Sequence, residues 1–139
     1  MTVELVVWIA GRACALPIAH VIETLRPPPI QPWPDAPPAV LGVARIRGAS
    51  VPVVDGAALL GAPAGGPPAR LVTLRIGARE VALAVERVDG VRRLDAAART
   101  ALPPLLRDDD GPIAAIAARD AELVLVLRSG RLVPAEASP

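Results

Sequence analysis

Two stretches of the chain, 67 positions apart, repeat one pattern: a short apolar run, a two-residue turn and a second apolar run. Short apolar runs separated by turn residues are typical of β-hairpins. Several apolar positions coincide at this offset, among them Leu16 with Leu83. The repeated pattern therefore predicts two equivalent hairpins. They are "VELVVWIA", turn Gly11-Arg12, "ACALPI", and "ARLVTLRIG", turn Ala78-Arg79, "EVALAVERV".

The segments that follow the two hairpins also resemble each other. "GVARIRGASVPVVDGAALL" and "PIAAIAARDAELVLVLRSGRLV" each read as strand, turn, strand and a short leucine-bearing end. Strands at this density, without long helical patterns, favour small barrels over a parallel α/β sheet. We expect one all-β domain over 1–139, with short helical turns. It would contain two β-barrel subdomains at about 13–60 and about 70–127, with their terminal strands exchanged.

One segment does not fit the strand pattern. Residues 27–38, "PPPIQPWPDAPP", contain seven prolines. Proline has no N–H for the hydrogen bonds of a sheet. The segment is therefore predicted to be an extended surface loop with polyproline II character.

The charge and composition of the chain exclude several classes of function. All 15 cationic side chains are arginines, and the formal net charge is only +1, so we expect no nucleic-acid partner. The N-terminus lacks the features of a signal peptide, and no apolar run reaches about 18 residues, so we expect no membrane insertion. A single cysteine, Cys14, is compatible with a reducing compartment. We therefore expect a cytoplasmic protein.

Residues suited to catalysis or metal binding are few. His20 is the only histidine, and Cys14 lies six positions away among apolar neighbours, which is typical of a small core residue rather than a nucleophile. One histidine and one cysteine cannot form a tetrahedral metal site. The run Asp108 to Asp110 lacks the spacing of a calcium loop. We expect no enzyme activity, no cofactor and no metal.

The order of these motifs resembles the CheW family of chemotaxis coupling proteins. An apolar strand leads into "VIET", a proline-rich loop, and then R-G followed by "VPVVD". The resemblance extends over about residues 3–133. The residues that carry it are Leu16 to Glu23, Pro34 to Pro37, Gly42, Val43, Arg47, Gly48, Val51 to Asp55, "VALAVERVDGV" at 81–91 and "AELVLVL" at 121–127.

The resemblance implies two SH3-like β-barrels packed together and a non-catalytic adaptor role in bacterial signalling. The adaptor would link chemoreceptor signalling tips to a CheA-type histidine kinase in chemotaxis or a related chemosensory pathway. The apolar ends of the barrels would contact the kinase's CheW-like regulatory domain. The receptor-facing groove would include Val21, Glu23, Gly42, Arg47 and Gly48.

Arg45 stands where many members of the family have asparagine, and we count it among the interaction residues because it could widen the basic patch around Arg47. An arginine at a turn can leave the sheet and make forked hydrogen bonds to a partner's oxygen atoms. Three alternatives stay open at this point. Arg47 could instead form an internal ion pair with Glu23 or Asp55. The chain could also be a β-barrel enzyme or a small-ligand-binding protein, which a deep pocket lined by His20 and two or more carboxylates would favour. It could also be a stand-alone structural β domain with no signalling partner.

Overall fold

The computed structural model describes residues 2–63, 66–94, 99–101, 111–119 and 122–134. Within these ranges the regular secondary structure is almost entirely β-strand, as the sequence predicts, with one short helix, α1, at Gly56–Leu59 and 3₁₀ turns at Ile18–His20 and Ser129–Arg131. The strands are β1 Thr2–Ile9, β2 Arg12–Pro17, β3 Val21–Leu25, β4 Ile30–Gln31, β5 Val40–Ile46, β6 Ala49–Asp55, β7 Arg70–Ile76, β8 Arg79–Val85, β9 Arg87–Leu94, β10 Arg99–Ala101, β11 Ile113–Arg119 and β12 Glu122–Leu127.

The strands form two sheets of six, in the orders β10-β11-β12-β2-β1-β9 and β3-β7-β8-β6-β5-β4. Pairing is antiparallel except for β12 with β2 and β6 with β8, which are parallel. When the second sheet is read from β4 to β3, each of its strands differs by six in number from the strand at the same position in the first sheet. Thus β4 corresponds to β10, β5 to β11, β6 to β12, β8 to β2, β7 to β1 and β3 to β9. The two sheets are therefore equivalent, which agrees with the duplication seen in the sequence.

The leading hairpin of each half belongs to the sheet of the other half. β1 and β2 lie between β12 and β9, and β7 and β8 lie between β3 and β6. One sheet therefore combines residues 2–17 with 87–127, and the other combines 21–55 with 70–85. Each sheet contains residues from both of the subdomains expected at about 13–60 and about 70–127. The limits of independently packed subdomains stay a prediction.

The two exchanged hairpins are buried on both faces, which explains their continuous apolar runs. One face of each contributes to a central core between the sheets, where Leu16 and Leu83 are both fully buried, as the duplication predicts. The opposite faces point into separate cores, one containing Ala13 and Ala15 and the other Ala82 and Ala84. In the hairpin strands β2 and β8, larger side chains thus contribute to the central core, while alanines contribute to the two separate cores.

The turns of the two leading hairpins differ from the sequence prediction by one residue. The strand partners Ile9 and Arg12 close the first turn, so the turn residues are Ala10 and Gly11. The second hairpin likewise turns at Gly77 and Ala78. Both turns require positive φ, and Gly11 (74°) and Gly77 (65°) provide it.

The proline-rich segment contains a two-residue strand that the sequence reading did not predict. Ile30 and Gln31 pair with Ala44 and Val43 of β5, because they are two of the residues in this segment that keep a backbone N–H. In the described part of the chain, no helix is long and apolar enough to cross a membrane.

Candidate interaction site

Arg47 and Gly48 form the two-residue turn of the β5–β6 hairpin, as the sequence predicts. Ile46 pairs with Ala49, and φ is 49° at Arg47 and 79° at Gly48. Positive φ at both central residues defines a type I′ turn, whose twist matches that of the flanking strands. Glycine adopts this conformation without steric cost. The turn projects the Arg47 side chain beyond the sheet, where it is 52% exposed.

Arg47 is the centre of a charged cluster, which we call the arginine–glutamate cluster: Glu23, Arg47, Arg75 and Glu80. Its guanidinium forms an ion pair with Glu23 of β3, and its Nη2 lies 3.7 Å from Oε2 of Glu80 on β8. Arg75 Nη2 lies 3.3 Å from Oε1 of Glu80. Of the two internal partners considered for Arg47, the structure therefore selects Glu23 and not Asp55, whose side chain accepts a hydrogen bond from the N–H of Ala57.

A buried threonine fixes the backbone at Glu23. Glu23 pairs with Thr73 of β7, next to a β-bulge between Val21 and Glu23. The fully buried Thr73 hydroxyl donates to the Glu23 carbonyl at 3.3 Å. The bulge leaves Ile22 38% exposed beside the cluster. Sequence reasoning did not identify Thr73 or Ile22 as part of the site.

Arg75 and Glu80 were also missed, although the sequence carries a signal for them. They are directly opposite each other across the β7–β8 hairpin, five positions apart. Opposite charges at such cross-strand positions attract each other. A search for paired charges around the predicted hairpin turn would have found them.

The remaining residues predicted for the groove have different environments. Val21 is half-buried, pairs with Leu74 and packs against the central core. Gly42 is buried at a second bulge, and a Cβ there would lie 2.2 Å from the Gln31 carbonyl oxygen. Gly42 is thus needed for the close approach of β4 to β5. This packing role is sufficient to explain a glycine at this position.

Arg45 is exposed on β5 opposite Ser50 and has no ion-pair partner in the described part of the chain. The expectation that Arg45 widens the basic patch around Arg47 assumes that both side chains lie on one face, as they would on a regular strand through both residues. The strand ends at Ile46, so strict alternation does not extend to Arg47. Arg45 is nevertheless exposed and available to a partner.

The two residues considered for catalysis lie apart from this cluster. Cys14 is fully buried, and this burial raises the pKa of its thiol to about 12. The positive charge of Arg12 lowers this pKa and the negative charge of Glu86 raises it, but both effects are smaller than that of burial. His20 Nδ1 is 2.9 Å from the Ser129 hydroxyl oxygen. Asp108 to Asp110 lie outside the described residues, and the described residues contain no group of three or more side chains suited to a metal ion.

Two surface cavities are large enough to be compared with the pocket that an enzyme would need. One, of about 300 Å³, is lined by residues that include Asp55 and Glu86; the other, of about 780 Å³, is mainly apolar with Arg12 at its edge. His20 lines neither cavity. Neither of these two cavities is therefore the pocket lined by His20 and carboxylates that would favour an enzyme or a small-ligand-binding protein.

Comparison with known proteins agrees with the fold and with the resemblance described above. The model of the CheW-like domain family matches residues 5–137. The chain is 40% identical over 65 residues to "Chemotaxis protein CheW" from Rhizobium meliloti (strain 1021), a match that covers 45% of this chain and 42% of that protein. The crystal structure of the scaffolding protein TtCheW from Thermoanaerobacter tengcongensis superposes with a TM-score of 0.81 at 24% identity, covering 92% of this chain and 90% of that one. At this identity, the structural likeness establishes the fold alone.

Proposed function

The chain belongs to the CheW-like domain family, and from this premise we propose that it is a non-catalytic adaptor in a bacterial chemosensory pathway. It would couple the signalling tip of a methyl-accepting chemoreceptor to the regulatory domain of a CheA-type histidine kinase. We propose a cytoplasmic location, because both partners would present these domains there. The pathway would control chemotaxis or a related output.

The observation that carries this proposal is the exposed arginine of the β5–β6 turn. Arg47 is 52% exposed while it contacts two glutamates, so its internal ion pairs are accessible to solvent. Ion pairs of this kind contribute only about 0–1 kcal/mol to stability. A partner that offers its own oxygen atoms could therefore replace one of them at low cost. Exposed Ile22 provides nearby apolar area.

Binding measurements with Arg47 variants test the proposal. Arg47→Ala should weaken binding by roughly 2 kcal/mol or more, about 30-fold, because arginines at the centre of an interface often contribute this much. Arg47→Lys should restore only part of the affinity, since an ammonium group cannot reproduce the planar fork of donors. Calorimetric titration against a receptor-tip fragment and against the kinase regulatory domain measures both effects.

Arg45→Ala is the matched control, because Arg45 is also an exposed arginine of this hairpin but has no internal ion pair in the described residues. It should reduce binding less than Arg47→Ala. Thermal melts of each variant accompany the titrations, and Arg47→Ala should shift the melting temperature little. Unchanged binding together with a large loss of stability would show that Arg47 is a structural ion-pair residue and would reject the proposed contact.

A further inference from the structure

The duplication places two arginines in equivalent positions with different surroundings. Arg12 begins β2 and Arg79 begins β8, each directly after the turn of its hairpin. The two halves also match where their last strands, β6 and β12, end, and equivalent residues there lie 73 positions apart in the chain. The N–H of Asp55 donates to the Ala39 carbonyl, and the N–H of Arg128 donates to the Pro112 carbonyl, both at 2.7 Å.

At the second sheet, the arginine is bound by the chain itself. Arg79 is half-buried, and its Nη2 donates to the carbonyl oxygen of Pro134. Leu132, which precedes this carbonyl, is 1% exposed, and Val133 packs against the central core. The segment after β12 therefore crosses Arg79 and covers the apolar surface beside it.

At the first sheet, the equivalent segment does not reach its arginine. Gly61 corresponds to Pro134, but the chain here turns back on α1, where the N–H of Gly61 donates to Ala58 and that of Ala62 to Ala57. Arg12 is exposed, and its guanidinium has no hydrogen-bond or ion-pair partner in the described part of the chain.

A groove of about 780 Å³ separates Arg12 from this turn. Arg12 is the one charged residue among the described residues of its lining. The rest of the lining is apolar or glycine: Ala10, Leu59, Leu60, Gly61, Ala62, Gly111, Pro112, Ile113, Ile116 and Leu125.

The apolar surface continues beyond the groove, which favours a macromolecular occupant over a small molecule. Leu123 lies two residues before Leu125 and therefore on the same face of β12, by the two-residue period of a strand. It is 67% exposed, the largest exposed fraction among the large apolar side chains described. Contiguous exposed apolar surface of this kind marks protein interaction sites.

We propose that this groove, which we call the Arg12 groove, binds an extended peptide segment of a partner protein. The segment places aliphatic side chains against Leu59, Leu60 and Ile116 and presents an acidic residue to Arg12. The groove wall is apolar and its only described charge is positive, so an aliphatic and acidic segment complements both features. Arg12 would thus bind a carboxylate of a partner, whereas the equivalent Arg79 binds a backbone carbonyl of its own chain. This inference is independent of the contact proposed for Arg47.

The test uses the full chain and the labelled, amidated peptide LVPAEA, which has the sequence of residues 132–137 and combines two aliphatic side chains with a carboxylate. Fluorescence anisotropy measures its affinity, and backbone amide shifts in NMR spectra locate it. Arg12→Gln should bind it about tenfold more weakly, the effect of losing one charged hydrogen bond. Arg26→Gln, which removes an exposed arginine elsewhere that has no partner among the described residues, should bind normally.

A charge exchange separates recognition by Arg12 from simple apolar binding. Arg12→Glu should bind the peptide LVPAKA better than it binds LVPAEA. Equal affinity of wild type and Arg12→Gln, shifts away from Leu59 and Ile116, or no saturable binding at millimolar peptide would each overturn the proposal. Self-association of the wild type that Arg12→Gln abolishes, measured by sedimentation, would also overturn it by showing that the occupant is a second copy.

Discussion

The buried thiol of Cys14 makes the stability of this protein dependent on pH in a range where few other groups titrate. Burial raises its pKa from an ordinary 9.0 to about 12. The sequence contains no lysine and no tyrosine, and arginine does not titrate below about pH 12. Cys14 is therefore the only side chain whose ordinary pKa lies between pH 8 and 12.

The direction of the effect follows from the two protonation equilibria. The unfolded chain loses the thiol proton near pH 9, whereas the folded chain keeps it until about pH 12. The stability that Cys14 contributes is fully present below pH 9 and is lost as the pH rises to 12. The loss of folding free energy is about 1.4 kcal/mol for each pH unit, or about 4 kcal/mol over the whole range from pH 9 to pH 12.

Urea denaturation of wild type and Cys14→Ala at pH 7, 9, 10 and 10.5, under reducing conditions, measures this dependence. At pH 7 we expect the variant to be less stable by about 1 kcal/mol. As the pH rises, the wild type should lose stability and the variant should not, so the two curves should converge and cross. Parallel curves would refute the reasoning, as would a native thiol that reacts with a disulfide reagent at pH 8 as fast as the unfolded chain.

Two glycines and two core leucines offer further tests of the fold. Gly42→Ala should destabilise the fold by roughly 2 kcal/mol or more, because its Cβ would overlap the backbone of β4; a urea midpoint equal to wild type would contradict this. Gly48→Val should lower the melting temperature more than Gly48→Asn, because φ is 79° and asparagine tolerates that region far better than a β-branched residue. Leu16→Ala and Leu83→Ala should each cost about 2–5 kcal/mol and by similar amounts, because both are fully buried in the central core. Unequal losses would mean that the duplicated halves are not energetically equivalent.

The local features of the fold could be read from the sequence. Strand positions follow from short apolar runs, and the Arg47–Gly48 turn follows from a glycine between two such runs, because both depend on neighbours in the chain. The duplication was visible for the same reason, since Leu16 and Leu83 have similar local contexts. These features, together with the motifs around residues 16–55, were enough to identify the family resemblance.

Only the tertiary structure decided which sheet each hairpin joins and which side chains meet. A strand buried on both faces has no polar side to fix its orientation, so its sequence is compatible with either sheet. The ion pair of Arg47 with Glu23 depends on the pairing of β3 with β7, which no local pattern specifies. Arg12 and Arg79 show most clearly which contacts the sequence alone does not determine. They begin equivalent strands, yet Arg79 binds the Pro134 carbonyl while Arg12 has no partner among the described residues, because side-chain environment is set by segments distant in sequence.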